Sequence, residues 1–369
     1  MIRVLNIMGS LACGGAETTV MNFYRNIDRS RIQFDFLVTD NGHEHYYKAE
    51  ALSLGARVFT RPMRTKHPIR NALELYKILK KNPDIRIIHI HNFLSLVAID
   101  TLLAMLLNVP IRIVHSRCEI PQASAIHRLF QPLLRATATH WFACSTEAGI
   151  SLFGKDAPHN KKFMLFPNAR NLDPYRFSQE KRYEVRRALG LNNKLVLLNI
   201  GRLYEQKNQT FLLKAFALAA KKNPNTVLLI AGDGELRTDL KKNATALGLD
   251  NHVQFLGLRD DIPELLQAAD IFVLPSLFEG LPGGAIEAQA AGLPCLLSDT
   301  VTRETKVTNN VEFLPIDEGP DVWAERIVNC RAYSRSDAID NVRRAGYDIV
   351  DAAGKLAEFY AANAPKGSV

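Results

Sequence analysis

Cysteine is scarce in this chain. The five residues, Cys13, Cys118, Cys144, Cys295 and Cys330, are scattered and never spaced as Cys-x-x-Cys. That pattern argues against a disulfide framework or a structural zinc site and fits a reducing cytosol. The first residues, Met1-Ile2-Arg3-Val4-Leu5-Asn6-Ile7-Met8, are too short an apolar run for a secretory leader and read as a strand. The most membrane-like window, Asn92 to Ile111, holds Asp100 in its middle and Pro110 near its end, so it reads as a buried helix. Low-complexity tracts, a DNA-binding motif and aromatic-interleaved basic runs are all missing, which excludes a long disordered arm and a nucleic-acid surface. The expectation is a cytoplasmic protein, soluble or peripheral at the inner face of the cell membrane.

What is present is enough apolar sequence for two domains: 369 residues, 47% of them hydrophobic. Continuous apolar runs of strand length alternate with helical patterns throughout. They are Ile2–Met8, Gln33–Thr39, Arg57–Thr60, Arg86–His91, Ile111–His115, Trp141–Ser145 and Phe163–Phe166, then Leu195–Ile200, Thr226–Ala231, Val253–Leu256, Ile271–Leu274, Cys295–Ser298 and Glu312–Leu314. Such runs separated by helices imply α/β domains with parallel sheets covered on both faces. A polar, turn-rich segment between Pro167 and Lys194 marks the join. Charge divides unevenly: residues 1–180 carry 23 Lys+Arg against 14 Asp+Glu, and the remainder 23 against 24. A basic first half suits an anionic membrane or acceptor.

In such sheets ligands sit at the carboxyl ends of strands, so the loops there carry the functional reading. The fullest is Phe278-Glu279-Gly280-Leu281-Pro282-Gly283-Gly284-Ala285-Ile286-Glu287, a strand exit, a tight loop and a helix start. Glycines at a helix N-terminus let backbone N–H groups approach an anion. Glu279 and Glu287 would be repelled by that anion and are expected to accept from sugar hydroxyls, as a carboxylate does from a ribose diol. After another strand come Arg202 and Lys207, an Arg fork and a Lys point charge suited to a diphosphate.

This Glu-x7-Glu spacing, within Phe-Glu-Gly-Leu-Pro…Glu-Ala-x-Ala-x-Gly-x-Pro, resembles the retaining glycosyltransferases of family 4. The string Gly201-Arg202-Leu203…Gln206-Lys207-Asn208 is similar to the same family. The resemblance implies the GT-B architecture, two Rossmann-like domains facing each other across a cleft. It implies an N-terminal acceptor-binding domain at 1–175, completed by a returning helix at about 347–362, and a donor-binding domain at 176–346. It implies hexosyl transfer from a nucleotide-diphosphate sugar, a UDP-sugar favoured, to a glycan or lipid-linked acceptor in bacterial surface polysaccharide synthesis. Arg202, Lys207, Glu279 and the strand-end His115 become the catalytic set. Gly14, Gly15, Gly232, Leu258, Arg259, Gly283, Gly284 and Glu287 become donor-binding residues, Leu258 or Arg259 through backbone contacts to the base.

No Asp-x-Asp occurs, so two cations and a helix end are expected to replace a metal, and no cofactor is implied. No nucleophile for double displacement stands out, which favours front-face attack. Two departures are visible. Many relatives have a second histidine where this chain has Arg117, and they often carry larger residues at Gly283-Gly284. A sugar-nucleotide epimerase, a phosphorylase, or a non-catalytic nucleotide-sugar scaffold are the alternatives on the same architecture.

Overall fold

The computed structural model describes residues 1–12, 14–40, 42, 45–92, 94–117, 124–330, 335 and 337–364. It divides into two compact units, residues 1–171 with 346–369, and residues 172–345.

The first unit is built on seven strands: β1 (Ile2–Ile7), β2 (Ile32–Asp40), β3 (Val58–Pro62), β4 (Ile85–His91), β5 (Ile111–Ser116), β6 (His140–Ala143) and β7 (Phe163–Leu165). They form one parallel sheet in the order β3-β2-β1-β4-β5-β6-β7. The second unit holds β8 (Leu195–Ile200), β9 (Thr226–Ala231), β10 (Val253–Gly257), β11 (Ile271–Leu274), β12 (Cys295–Ser298) and β13 (Val311–Leu314), parallel in the order β10-β9-β8-β11-β12-β13. The thirteen strands match the thirteen apolar runs to within a residue or two. Those runs are legible because a parallel strand is buried on both faces and cannot alternate with polar residues.

Each sheet has an apolar core on either side, four clusters in all. In β4 and β5 alternation decides which core a residue enters. Ile87 and Ile113 join one cluster, Ile88 and Val114 the opposite one. The helix Ile349–Asn363 belongs to the first unit. Asp348 caps it by accepting from the Val350 and Asp351 amides at 2.9 and 3.2 Å. The segment before it is zipped to 170, with Arg170 N donating to Tyr347 O and Ile349 N to Arg170 O. Tyr360 on this helix is fully buried and meets Phe34 edge-on at 6.2 Å.

The division falls after Asn171, four residues before the expected 175. Leu172 is fully buried, and Tyr175 packs against the second unit's core, so this short turn goes with the later sheet. Asp100 is buried and holds Arg61 through two bonds of 2.9 Å and Arg64 through another, which is why a carboxylate sits inside so apolar a helix. Among the described residues no helix is long and apolar enough to cross a membrane. Cys144, Cys295 and Cys330 form no disulfide; Cys13 and Cys118 lie outside the described residues.

Candidate active site

In the second sheet the strand order reverses between β8 and β11. Loops leaving two such strands diverge and open a crevice at the carboxyl end of the sheet. The loops here are 201–208 after β8 and 275–282 after β11, and they are laced together. Leu277 N donates to Gln206 O at 2.8 Å, and Gln206 Nε2 donates to Phe278 O at 3.0 Å.

At the centre the Lys207 ammonium is paired with Glu279 Oε1. Ser276 Oγ donates to the same oxygen at 2.8 Å, and Glu279 is 8% exposed. Local geometry sets this up. A 3-10 turn, Glu205–Lys207, ends at Asn208, whose left-handed φ of 52° redirects the chain into the helix Gln209–Lys222. Asn is among the few residues that tolerate that conformation. Arg202 is exposed, lies 5.2 Å from the centre of the Tyr204 ring, and makes no ion pair among the described residues.

Beyond the loop Pro282 caps the helix Gly283–Ala290, its carbonyl accepting from the Ala285 and Ile286 amides at 3.1 and 3.4 Å. No side chain caps this end, so the leading amides of Gly283 and Gly284 are positioned for an anion. A Cβ on Gly284 would meet Ile200 and Phe272 at 3.5 Å, an ordinary contact, so packing does not demand glycine there. Glu287 lies one turn along, partly exposed. Within this unit the fold therefore brings Arg202, Lys207, Glu279, Gly283, Gly284 and Glu287 to one end of the sheet, around its switch point.

Gly232 has a backbone role. A Cβ there would stand 1.9 Å from Gly201 O, so the chains leaving β8 and β9 approach closely only through glycine. Its amide already donates to Gly257 O at 2.8 Å. Leu258 is 81% exposed. Arg259 lies on the surface, where its guanidinium bonds Asp261 at 2.7 Å and that bond raises its pKa. Both follow β10, at the sheet edge and two strands from β8.

The first unit corrects the expected aim of one residue. His115 does not project from its strand end; it is fully buried. Alternation places it with His89 and His91 on the sheet face covered by Tyr360. His115 Nε2 faces the Phe166 carbonyl at 3.2 Å and must donate. Its Nδ1 then accepts from His89 Nε2 at 3.2 Å, and His89 Nδ1 accepts from the Tyr360 hydroxyl at 2.6 Å. His91 Nε2 donates to Asn6 Oδ1 at 3.0 Å, and its Nδ1 accepts from Arg117 Nη2 at 3.2 Å. One neutral tautomer of each ring satisfies every bond. Burial drives all three pKa values well below 6.5.

The three rings lie close enough together to suggest a metal centre, with one nitrogen from each within 4.8 Å of the others. Each lone pair, however, already accepts a hydrogen bond, and the Arg117 cation touches the cluster, so these residues do not fit a metal as arranged. Arg117 Nη1 also donates to Asn168 Oδ1 at 2.6 Å, and desolvation lowers its pKa to about 10. Gly14 and Gly15 open the helix Gly15–Asn26 without a side-chain cap. A Cβ on Gly15 would meet nothing, and one on Gly14 only the flexible Glu17 carboxylate, so neither is glycine for packing.

The sequence assigned no role to Ser276 or Gln206, although Gln206 stands in the string before Lys207 and Ser276 lies two residues beyond the buried strand β11. Tyr360, 271 residues from His89, left no local signal.

A two-sheet α/β molecule with cations, carboxylates and an open helix end at one switch point defines a nucleotide-handling class, and comparison with known proteins narrows it. Residues 13–173 match the model for Glycosyltransferase Family 4, and residues 181–329 that for Glycosyl transferases group 1. EpsF of Bacillus subtilis (strain 168), named as a glycosyltransferase, is 34% identical over 97% of this chain and 96% of its own length. The UDP-Gal:alpha-D-GlcNAc-diphosphoundecaprenol alpha-1,3-galactosyltransferase of Escherichia coli is 30% identical over 79% of each chain. The crystal structure of Anabaena Alr3699/HepE in complex with UDP and glucose has the same fold, with a TM-score of 0.76 at 20% identity over 98% of this chain and 100% of that one. The chain belongs to the group 1/family 4 glycosyltransferases.

Proposed function

We propose that the protein transfers a hexosyl group from a UDP-sugar, with retention of configuration and without a metal, to a glycan or lipid-linked acceptor of a bacterial surface polysaccharide. The observation that carries this reading is the Lys207–Glu279 pair at the β8/β11 switch point, beside Arg202 and the open helix end at Gly283. Unliganded, the two charges neutralise each other. A donor would separate them, its diphosphate taking the Lys207 ammonium and its sugar hydroxyls donating to Glu279. The Escherichia coli relative acts with UDP-Gal on a diphosphoundecaprenol-linked sugar, which supports both the donor base and the lipid-linked acceptor.

In the reaction the bond between the anomeric carbon and the diphosphate oxygen breaks, and its electron pair leaves with the diphosphate. Arg202, Lys207 and the Gly283-Gly284 amides stabilise that charge, each worth most where water is excluded. The acceptor oxygen bonds to the same face of the sugar, and its proton passes to the departing phosphate oxygen. Glu287 holds the ribose. The buried neutral His115 positions its strand end and moves no proton.

Thermal stabilisation by UDP, GDP and ADP, with EDTA and then with Mg²⁺, tests the donor half. UDP at a hundredfold excess over its dissociation constant adds about 2.7 kcal/mol. Lys207→Ala abolishes that shift. Glu279→Ala lowers turnover about 10²- to 10³-fold in an assay with UDP-sugar and a lipid-linked acceptor. A shift that requires Mg²⁺ refutes metal independence, and product of inverted configuration in the proton NMR spectrum refutes retention.

A further inference from the structure

The carboxylates of Glu279 and Glu287 need fixed places, and their own segment does little to supply them. The helix Gly283–Ala290 has eight residues, opens on two glycines, and carries one large apolar side chain, Ile286. Such a helix is weak by itself, because glycine lowers helix stability and nucleation is costly over so few residues. Glu279 stands in the loop between β11 and that helix, outside both elements.

Both are tied instead to the chain from 298 to 308, which ends β12 and runs on beyond it. Its sequence, Ser-Asp-Thr-Val-Thr-Arg-Glu-Thr-Lys-Val-Thr, is rich in small hydroxyl side chains. Toward one end Ser298 Oγ and Thr300 Oγ1 donate to the Ser276 carbonyl at 2.5 and 2.7 Å. Ser276 Oγ in turn donates to Glu279 Oε1 at 2.8 Å, and the backbone at Glu279 pairs with that at Val301. Glu279 Oε1 is thereby held, and Oε2, which has no hydrogen bond among the described residues, is left for a sugar hydroxyl. Toward the other end the fully buried Gln289 is bonded through both atoms of its amide. Its Nε2 donates to Thr305 O at 2.8 Å and to Ala285 O at 3.1 Å. Its Oε1 accepts from the Val307 and Thr308 amides, each at 3.0 Å, and from Thr308 Oγ1 at 3.1 Å. Four of these five bonds tie the helix to residues 305–308. Residues two apart on a helix point to nearly opposite sides, so Gln289 anchors the helix from behind Glu287.

We infer that residues 298–308 brace the site, with Thr300 and Gln289 as positioning residues. Thr300 acts through Ser276 on Glu279, and Gln289 acts through the helix on Glu287. The inference rests on the transferase reading, in which Glu279 meets the donor sugar and Glu287 the ribose. On that reading the two ends of the brace have separable effects, one on turnover and one on nucleotide binding.

Steady-state kinetics with a UDP-sugar and a lipid-linked acceptor, beside a titration with UDP alone, tests it. Thr300 is exposed, so Thr300→Val keeps the fold. It lowers kcat about tenfold to a hundredfold, the scale of a misplaced catalytic group, and leaves UDP affinity unchanged. Thr300→Ser restores the hydroxyl and turns over like the parent. Gln289→Leu does the reverse. It raises the KM for donor and the Kd for UDP about tenfold or more, the scale of one lost hydrogen bond to a charged group, and leaves kcat near the parent's. Where Gln289→Leu does not fold, Gln289→Glu is read the same way, since it keeps the acceptor for the Val307 and Thr308 amides and loses the donor to Thr305 O. A merely structural role would lower the melting temperature without this split. With a parent that binds UDP and transfers sugar, either variant behaving like the parent, or both losing kcat and UDP affinity in step, overturns the brace alone. A parent that neither binds UDP nor transfers sugar refutes the transferase reading and the brace with it.

Discussion

The two units use the carboxyl ends of their sheets in opposite ways. In the second, charged side chains stand on loops beyond the strands: Arg202 exposed, Lys207 and Glu279 paired across the switch point. In the first, polar residues sit within the strands, and the fold closes over them. His89, His91 and His115 are buried and neutral: His89 bonds His115 and Tyr360 of the returning helix, and His91 bonds Asn6 and Arg117. The contrast follows from burial. Charges that must meet a ligand have to stay near water until it arrives, whereas groups buried permanently must be neutral and hydrogen-bonded or, like Asp100 against Arg61 and Arg64, ion-paired. The second unit is therefore expected to be sensitive to backbone approach at its loops, and the first to protons.

Acid is the largest lever on that difference. In the folded state the three histidine pKa values lie well below 6.5, chiefly because burial disfavours the charged rings. Unfolded, the rings bind protons near pH 6.5. Above that pH they contribute nothing to the pH dependence. Below it the unfolded state takes up protons the folded state cannot, so stability falls as pH falls. Three rings give a slope of at most about 4 kcal/mol per pH unit. The chain has two tryptophans, Trp141 in the first unit and Trp323 in the second, both buried. Trp141 fluorescence in a Trp323→Phe background should lose urea resistance steeply below pH 6.5, and Trp323 in a Trp141→Phe background much less. Equal losses would erase the distinction.

A methyl group is the next lever, and it acts on the other unit. Gly232→Ala places a Cβ against Gly201 O where the backbones cannot separate without disturbing both loops. About 3 kcal/mol of strain and repacking is expected, lowering the transition followed by Trp323 by roughly 6–12 °C and leaving that of Trp141 in place. The smallest effect returns to the first unit. Tyr360→Phe removes the donor to His89 Nδ1 and leaves a buried acceptor unmet, at a cost of about 1–2 kcal/mol in urea denaturation followed by Trp141. An unchanged midpoint would mean that the chain of tautomers is not held from the helix.

Much of the candidate site was legible because its residues are close in sequence to strand ends. Arg202 and Lys207 follow β8 directly. Glu279, Gly283, Gly284 and Glu287 all lie within the loop and helix after β11. Gly232 was visible as a glycine at a strand end, but its reason was not, because the backbone it touches belongs to residue 201. His115 was misdirected. A strand-end position says that a residue is near the site, while the face it takes depends on alternation and on what covers that face.

The sequence by itself determined the thirteen strands, the two α/β units and the loops that hold the charges. Burial on both faces of a parallel sheet writes an unbroken apolar run, and turns into helices write glycine, proline and asparagine. Tertiary structure decided which loops meet and which polar residues disappear from water. Lys207 meets Glu279 because the strand order reverses between β8 and β11, although β9 and β10 lie between them in the chain. His89 is neutral because it is buried, and the last helix, whose Tyr360 hydroxyl meets it across 271 residues, is part of what covers it. Neither fact is local, and side-chain spacing along the chain records only what is local.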